Sequence, residues 1–215
     1  MTDPIETRIL IIDDHPLFRK GVADLIGMEP ALQLVGEAAD GELGLRLART
    51  LQPDLILLDL NMKGMDGLAV LRRLRGDDEL DARIVMLTVS DTEADVLAAL
   101  RAGADGYLLK DTEPEEMLEL LRGAMRGRLV ISPQLTELLA RALREGATPP
   151  PPDQADLTPR EQEILALLAR GLSNKLIARE LDLAVGTVKV HVKHILKKLG
   201  VRSRVEAAVM AVSLT

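Results

Sequence analysis

Several residue types are missing or scarce in this chain of 215 residues, and each absence excludes a kind of site. There is no Cys, which excludes disulfide bonds, cysteine-ligated zinc, iron–sulfur clusters and a cysteine nucleophile. Phe18 and Tyr107 are the only aromatic residues, so the chain lacks the rings on which single-stranded nucleic acids stack. No apolar run reaches membrane-spanning length, and the first residues do not resemble a secretory signal. We therefore expect a cytoplasmic protein.

The charge is divided unequally between two parts of the chain. Residues 153–215 carry ten Lys and Arg and seven Asp and Glu, a balance of +3. Subtracting these from the 27 basic and 34 acidic residues of the whole chain leaves the first 152 residues at −10. Four consecutive prolines at 149–152 separate the two parts and favour an extended spacer. The sequence predicts two domains with different partners.

Short apolar strands alternate with helices in the first part. The strand candidates are 8–12, 32–37, 54–58, 84–88 and 107–109, and the helix candidates are 18–28, 41–51, 68–75, 93–102 and 115–126. Continuous apolar strands that alternate with helices are typical of a parallel sheet covered on both faces. We predict a doubly wound α/β domain with five parallel strands, whose binding sites lie at the carboxyl ends of the strands.

Charged and polar residues stand at the ends of four of these strands. Asp13 and Asp14 follow the first strand, Asp59 the third, Thr88 the fourth and Lys110 the fifth. Three carboxylates in one place repel each other unless a cation joins them, and a donor set made only of oxygen favours Mg²⁺. A carboxylate there can attack a phosphoryl group. Lys110 would neutralise the charge on the phosphoryl oxygens, and the Thr88 hydroxyl would donate a hydrogen bond to one of them. The alternative is that each residue only caps a helix or forms a turn.

The motifs around these residues resemble the receiver domain of two-component response regulators. They are IIDDHP at 11–16, LLDLNM at 57–62, Thr88 and GYLLK at 106–110, and the resemblance covers residues 8–127. It implies a flavodoxin-like fold in which Asp59 accepts a phosphoryl group from a sensor histidine kinase. It also implies that the ligands of Mg²⁺ are Asp13, Asp14, Asp59 and the backbone carbonyl of Asn61.

The same resemblance assigns two further roles. Thr88 and Lys110 would contact the phosphoryl group, and Thr88 with Tyr107 would form a switch pair. An alternative function for these residues is a magnesium-dependent aspartyl-phosphate phosphatase or phosphotransferase. Such enzymes usually need a second Asp as acid or base, whereas Asn61, two residues after Asp59, cannot do that work. We therefore expect a regulator and not an enzyme.

The second part has the pattern of a small domain of four helices. TPRE at 158–161 combines an N-cap, a proline at the first helical position and a Glu that completes a capping box. Ser173 is expected to cap a second helix at 174–181, and a third and a fourth helix are predicted at 186–199 and 204–212. Two short helices joined by a tight turn, with the second one basic, are typical of a helix-turn-helix.

The third of these helices has an apolar face and a basic face. With a turn of about 100° per residue, the apolar residues lie in one stripe along the helix: Val188, Val192, Ile195 and Leu199. The opposite face carries Lys189, Val190, Lys193, His194 and Lys197. Lysines attract phosphates and can bond guanine, and a valine can pack on the methyl group of thymine. The alternatives are an ordinary solvated face, or a surface that binds an acidic protein.

LTPRE at 157–161, GLSNK at 171–175 and TVKVH at 187–191 resemble the LuxR-type helix-turn-helix, over residues 157–212. A receiver joined to this module is similar to the NarL/FixJ family of transcriptional regulators. NMKGM at 61–65, GADG at 103–106 and KVHVKH at 189–194 are similar to its nitrate/nitrite-responsive members. The resemblance implies that Lys189, Val190 and Lys193 touch bases of promoter DNA. It further implies a phosphorylation-dependent homodimer formed through the C-terminal domain, and control of anaerobic respiration genes.

These patterns predict an organisation and a means of control. We expect a receiver domain at 8–127, a connecting helix and proline-rich linker at 128–156, and a DNA-binding domain at 157–215. Tethering an acidic domain to a basic one raises the effective concentration of each at the other, so even a weak contact between the two domains can form. We predict that the unphosphorylated receiver covers the face at 189–197, and that the released domain pairs through the apolar side of 205–212. The alternative is two domains with no contact.

Overall fold

The structure is a computed structural model that describes residues 7–77, 79–89, 92–125, 130–131, 157–201 and 203–212. The first part alternates strands and helices, as predicted. Its strands are β1 Thr7–Ile12, β2 Leu32–Ala38, β3 Leu55–Asp59, β4 Arg83–Thr88, β5 Gly106–Leu109 and β6 Val130–Ile131. Its helices are α1 Pro16–Gly27, α2 Gly41–Leu51, α3 Gly67–Arg75, α4 Glu93–Arg101 and α5 Pro114–Met125.

The strands form one parallel sheet in the order β2-β1-β3-β4-β5-β6. The predicted doubly wound sheet is confirmed, and all five predicted strands form. The short β6 adds to the β5 edge and was not predicted, because two residues are too few to carry a strand pattern. In sheets of this order, ligands bind at the carboxyl ends of the strands, where the winding changes direction beside β1 and β3.

Alternate residues of the central strands pack on opposite faces of the sheet. In β1, Leu10 and Ile12 join a cluster with α2, α3 and α4, whereas Ile9 and Ile11 join a cluster with α1 and α5. Burying one such side chain stabilises the fold by about 1.5–3 kcal/mol, so a shift of the strand by one residue would be costly. The core therefore fixes which strand residues reach the carboxyl edge.

The second part contains α6 Pro159–Ala169, α7 Asn174–Glu180, α8 Val185–Leu199 and α9 Arg204–Val212. The predicted capping box of Thr158 and Glu161 begins α6, and the Ser173 hydroxyl caps α7. Helix α8 ends at Gly200, which adopts a left-handed conformation with a φ of 67°. The predicted apolar stripe of α8 is buried in a core formed within these helices.

Two features of the chain bear on the predicted layout. The predicted connecting helix and linker at 128–156 lie outside the described residues, except for Val130 and Ile131. Within the described ranges, none of the helices has the length and apolar character needed to cross a bilayer.

Candidate functional site

Three carboxylates and one amine meet at the carboxyl edge of the sheet. Asp13 and Asp59 are buried, and Asp14 lies beside them, partly exposed. The Lys110 Nζ atom lies 2.8 Å from Asp13 Oδ2 and 2.9 Å from Asp59 Oδ2. The ends of β1, β3 and β5 are thereby joined by one buried ion-pair cluster, so the predicted convergence of these side chains is found in the structure.

Backbone hydrogen bonds hold these strand ends in place. The Asp13 N–H donates to the carbonyl of the last β2 residue at 3.0 Å, and the Lys110 N–H donates to Thr88 O at 2.7 Å. The exposed Asn61 is tied to the site through its N–H, which donates to Asp59 Oδ1 at 3.2 Å. Thr88 itself is buried at the end of β4. The site is therefore fixed by hydrogen bonds to the backbone at the carboxyl edge of the sheet.

Gly67 allows helix α3 to begin directly against Asp59. A Cβ atom at position 67 would lie 2.1 Å from the carbonyl oxygen of Asp59 and 2.8 Å from Leu60 Cα. Both neighbours are backbone atoms that cannot move aside, so only glycine fits. This role of Gly67 was not predicted, because a glycine at a helix start also suits an ordinary turn.

His15 also borders the site, although a lone histidine beside two aspartates made a transition-metal site improbable from the sequence. Its Nδ1 atom lies 3.0 Å from Asp14 Oδ1, 3.3 Å from Asp13 Oδ1 and 3.6 Å from Asp59 Oδ2. It also lies 3.4 Å from Lys110 Nζ. Its position directly after the two aspartates was the signal in the sequence.

The site is short of positive charge. Burial raises the pKa of the Asp59 carboxyl, the Lys110 ammonium lowers it, and repulsion by Asp13 raises it again, with a raised pKa as the net result. The Lys110 ammonium contacts both Asp13 Oδ2 and Asp59 Oδ2, and Asp14 adds a third carboxylate beside them. Three carboxylates that face one ammonium fit a hard cation with oxygen ligands.

The two residues of the predicted switch pair lie on neighbouring strands. Tyr107 of β5 is fully buried and pairs with Met86 of β4, two residues before Thr88. Thr88 pairs with Leu109, the last residue of β5. The two residues of the predicted pair therefore lie two register positions apart on paired strands.

The predicted DNA-reading face lies on α8. Four of its five side chains are exposed: Val190, Lys193, His194 and Lys197. Lys189 is half-buried. The pKa of Asp77 is lowered first by its hydrogen bond with Arg49, then by the Glu79 N–H, and also by the charge of Lys189.

The first helix of the helix-turn-helix contacts the opposite edge of the sheet from the acidic site. The Asn174 Nδ2 atom donates to Asp81 Oδ1 at 2.9 Å, and the Lys175 ammonium forms an ion pair with Asp54. A guanidinium N–H of Arg83 donates to the carbonyl of Gly171. The receiver therefore contacts the start of α7 and the turn before it, and Lys189 is the only half-buried residue of the predicted face. The receiver therefore covers less of the C-terminal domain than predicted, since the prediction was that it covers the whole face at 189–197.

A buried carboxylate lies at the centre of this contact. Asp105 accepts hydrogen bonds from the guanidinium of Arg75 and, at 2.8 Å, from the Ile84 N–H, and Arg204 Nε of α9 lies 3.7 Å away. Burial by itself would raise the pKa of Asp105, but Arg75, then Arg204 and Arg83, hold it below its ordinary value. In the sequence Asp105 stood out only as part of a motif, because its partners Arg75 and Arg204 are 30 and 99 residues away.

The apolar side of α9 contributes to the same contact. Val205 is fully buried and belongs to the cluster formed by α2, α3 and α4 of the first part. Beside it, a cavity of about 220 Å³ lies between the two parts and is lined by residues that include Arg75, Val192 and Leu196. Val205, at one end of the surface predicted to pair two copies, is covered in this arrangement.

Two family models match the chain, in the order that the motifs predict. Residues 9–122 match the response regulator receiver domain, and residues 155–211 match the bacterial regulatory proteins of the luxR family. The first match contains the acidic site, and the second contains α7 and α8.

Full-length relatives have the same arrangement. The chain is 54% identical to the nitrate/nitrite response regulator protein NarL of Escherichia coli K12 over 209 residues, 97% of this chain and 96% of that protein. It is 47% identical to NarP of the same organism over 210 residues, 98% of this chain and 96% of that protein. The solved complex of the two-component response regulator RcsB with DNA is 25% identical, with a TM-score of 0.57, and covers 98% of this chain and 100% of that one.

These relatives are regulators, so the alternative interpretation as a phosphatase or phosphotransferase is not favoured. A luxR-family domain that carries a helix-turn-helix with a basic second helix binds DNA. The chain belongs to the response regulators that join a receiver domain to a DNA-binding domain of the luxR family.

Proposed function

We propose that Asp59 accepts a phosphoryl group from a sensor histidine kinase and that this event controls DNA binding by the C-terminal helices. The observation that carries the proposal is the contact of Lys110 with both Asp13 and Asp59 at one edge of the sheet. In this proposal the Asp59 carboxylate attacks phosphorus, while the Lys110 ammonium and the Thr88 hydroxyl stabilise the charge on the phosphoryl oxygens.

Mg²⁺ is the cation that the donor set fits best. Asp13, Asp14, Asp59 and the backbone carbonyl of Asn61 would hold it, because all four supply oxygen. When bound, Mg²⁺ neutralises negative charge on the carboxylates and on an incoming phosphoryl group. The raised pKa of Asp59 and the excess of carboxylates over the one ammonium that contacts them support a demand for such charge.

The contact between the two domains would keep the unphosphorylated protein from binding DNA. The first helix of a helix-turn-helix crosses the DNA backbone, and in this chain its Lys175 and Asn174 are engaged by Asp54 and Asp81 of the receiver. The receiver carboxylates thus bind side chains that would otherwise be available to the phosphates of DNA. Phosphorylation would change Thr88 and Tyr107, weaken this contact and release the C-terminal domain.

The released domain would read DNA with α8. Lys189, Val190 and Lys193 are proposed to contact base edges, with His194 and Lys197 beside them on the same exposed face. Release would also uncover Val205 and allow two copies to pair through α9, which matches a two-fold arrangement of DNA half-sites.

The signal is proposed from the relatives. Two of them, at 54% and 47% identity, are named nitrate/nitrite response regulators, so we propose that this protein controls genes of anaerobic respiration in response to nitrate or nitrite. A kinase-controlled regulator that binds promoter DNA would work in the cytoplasm.

Phosphoryl uptake tests the proposal. The full chain is incubated with a small phosphodonor and Mg²⁺, and incorporation is measured by mass spectrometry for wild type, Asp59→Asn and the exposed control Asp24→Asn. We expect one phosphoryl group on wild type and on the control, none on Asp59→Asn, and none without Mg²⁺. Incorporation into a folded Asp59→Asn chain would refute the assignment.

A further inference from the structure

An aromatic ring lies beside the ammonium of the acidic site. The Lys110 Nζ atom stands over the ring of Phe18, 4.9 Å from its centroid. Phe18 is the third residue of α1, which begins at Pro16, two residues after Asp14. Its partly buried side chain also packs against the cluster that the sheet forms with α1 and α5. The ring is therefore supported by the core and contacts the ammonium of the site.

The ammonium is almost fully enclosed, which strengthens this contact. The Lys110 side chain is 6% exposed, so water solvates its charge only weakly. Its Nζ atom also lies 2.8 Å from Asp13 Oδ2, 2.9 Å from Asp59 Oδ2 and 3.4 Å from His15 Nδ1. The face of an aromatic ring carries partial negative charge and attracts a cation within about 6 Å of its centroid, more strongly where water is excluded. Phe18 thus adds an attraction for the ammonium to that of the two carboxylates.

The proposed reaction changes both carboxylates that hold the ammonium, but it does not change the ring. An Asp59 carboxylate oxygen forms a bond to phosphorus, and the bond between phosphorus and the leaving group of the donor breaks, with its electron pair going to the leaving group. Asp59 then no longer offers a free carboxylate, and Asp13 is shared with Mg²⁺. The ring stays uncharged in every state, so its attraction for the Lys110 ammonium persists while the charge on the phosphoryl oxygens develops.

We propose that Phe18 is a positioning residue for phosphoryl transfer, whose ring holds the Lys110 ammonium at the acidic site while Asp59 reacts. This inference rests on the proposed phosphorylation of Asp59. The ring contacts the ammonium and acts on the reaction through it. Position matters because the charge of the ammonium stabilises the phosphoryl oxygens best at hydrogen-bond distance, and a displacement of about 1 Å in such a group lowers the rate.

The test measures how fast the full chain takes up a phosphoryl group from acetyl phosphate at saturating Mg²⁺, followed by mass spectrometry. In this reaction the P–O bond of the donor breaks and acetate leaves. Phe18→Leu removes the ring and keeps an apolar side chain, whereas Phe18→Tyr keeps the ring. We expect Phe18→Leu to lower the rate about threefold to thirtyfold, the range of cation–π attraction from exposed to desolvated sites. Phe18→Tyr should keep most of the wild-type rate.

A double-mutant cycle separates an effect on the ammonium from a general loss of packing. Lys110→Met keeps a long side chain without its charge, and its slower uptake is measured with and without Phe18→Leu. We expect Phe18→Leu to make no further difference in that background, because no cation is left for the ring to hold.

Three results would overturn the role of the ring. They are a wild-type rate in Phe18→Leu, a rate in Phe18→Tyr as low as in Phe18→Leu, and an equal loss from Phe18→Leu with and without the Lys110 charge. In each of them the proposed function stands as long as wild type is phosphorylated. Wild type that takes up no phosphoryl group overturns the proposed function and this inference together.

Discussion

Weakening the contact between receiver and α7 should increase DNA binding without phosphorylation. The perturbation is the pair of substitutions Asp54→Asn and Asp81→Ala, which lie in the receiver and leave the DNA-binding domain unchanged. They remove the ion pair with Lys175 and the hydrogen bond from Asn174. A carboxamide at position 54 still accepts the hydrogen bond that the Arg8 N–H donates to Asp54, so the strand pairing is kept.

The magnitude follows from the exposure of these groups. The Lys175 and Asp54 side chains are 57% and 25% exposed, so solvent screening leaves about 0.5 kcal/mol for their ion pair. The half-buried hydrogen bond to the Asp81 carboxylate contributes about 1.5 kcal/mol. The sum of about 2 kcal/mol corresponds to a change of about thirtyfold in the ratio of open to closed protein. DNA affinity should rise by up to that factor while the closed form predominates.

The assay is fluorescence anisotropy with one duplex at one salt concentration, since charge changes alter DNA binding at any distance. The matched control is Asp24→Asn with Glu116→Ala, which makes the same charge change on exposed positions of α1 and α5. Equal affinities of the two double variants would refute the closed contact as the source of inhibition, whatever their difference from wild type.

Three further substitutions test separate parts of the structure. Glu161→Gln should lower the free energy of unfolding of α6–α9, measured by circular dichroism, by about 2 kcal/mol. The bond with Lys198 holds the Glu161 pKa at about 2. The difference from wild type should therefore be complete above pH 4.5 and shrink as the pH falls toward 2. Gly67→Ala should destabilise the receiver in urea by about 3 kcal/mol or more, whereas Gly27→Ala, whose Cβ meets nothing within 4 Å, should not. Asp105→Asn should cost about 3 kcal/mol in the same assay, because it leaves the half-buried guanidinium groups of Arg75 and Arg204 without their buried carboxylate.

The sheet and its acidic site were predictable because each signal is local. An apolar run of strand length followed directly by Asp13 or Asp59 specifies both the strand and the edge at which its last side chain stands. The capping box at Thr158 and the alternation of Val188 and Val192 with lysines are signals of the same kind. In each case neighbouring residues carry the whole pattern, and burial then fixes the register.

The contact between the domains was predictable only as an attraction of opposite charge. Asp105 meets Arg204 and Asp81 meets Asn174, and no periodic pattern connects residues about 90 to 100 positions apart. Such features depend on where packed elements finally lie.

The most direct test of the account is the DNA affinity of the full chain before and after treatment with a small phosphodonor and Mg²⁺. Anisotropy with duplex DNA is measured for wild type and for Asp59→Asn, with phosphorylation quantified in the same samples. The account predicts that affinity rises on phosphorylation of wild type and does not change for Asp59→Asn. Fully phosphorylated wild type that binds DNA no better than the untreated chain would contradict it.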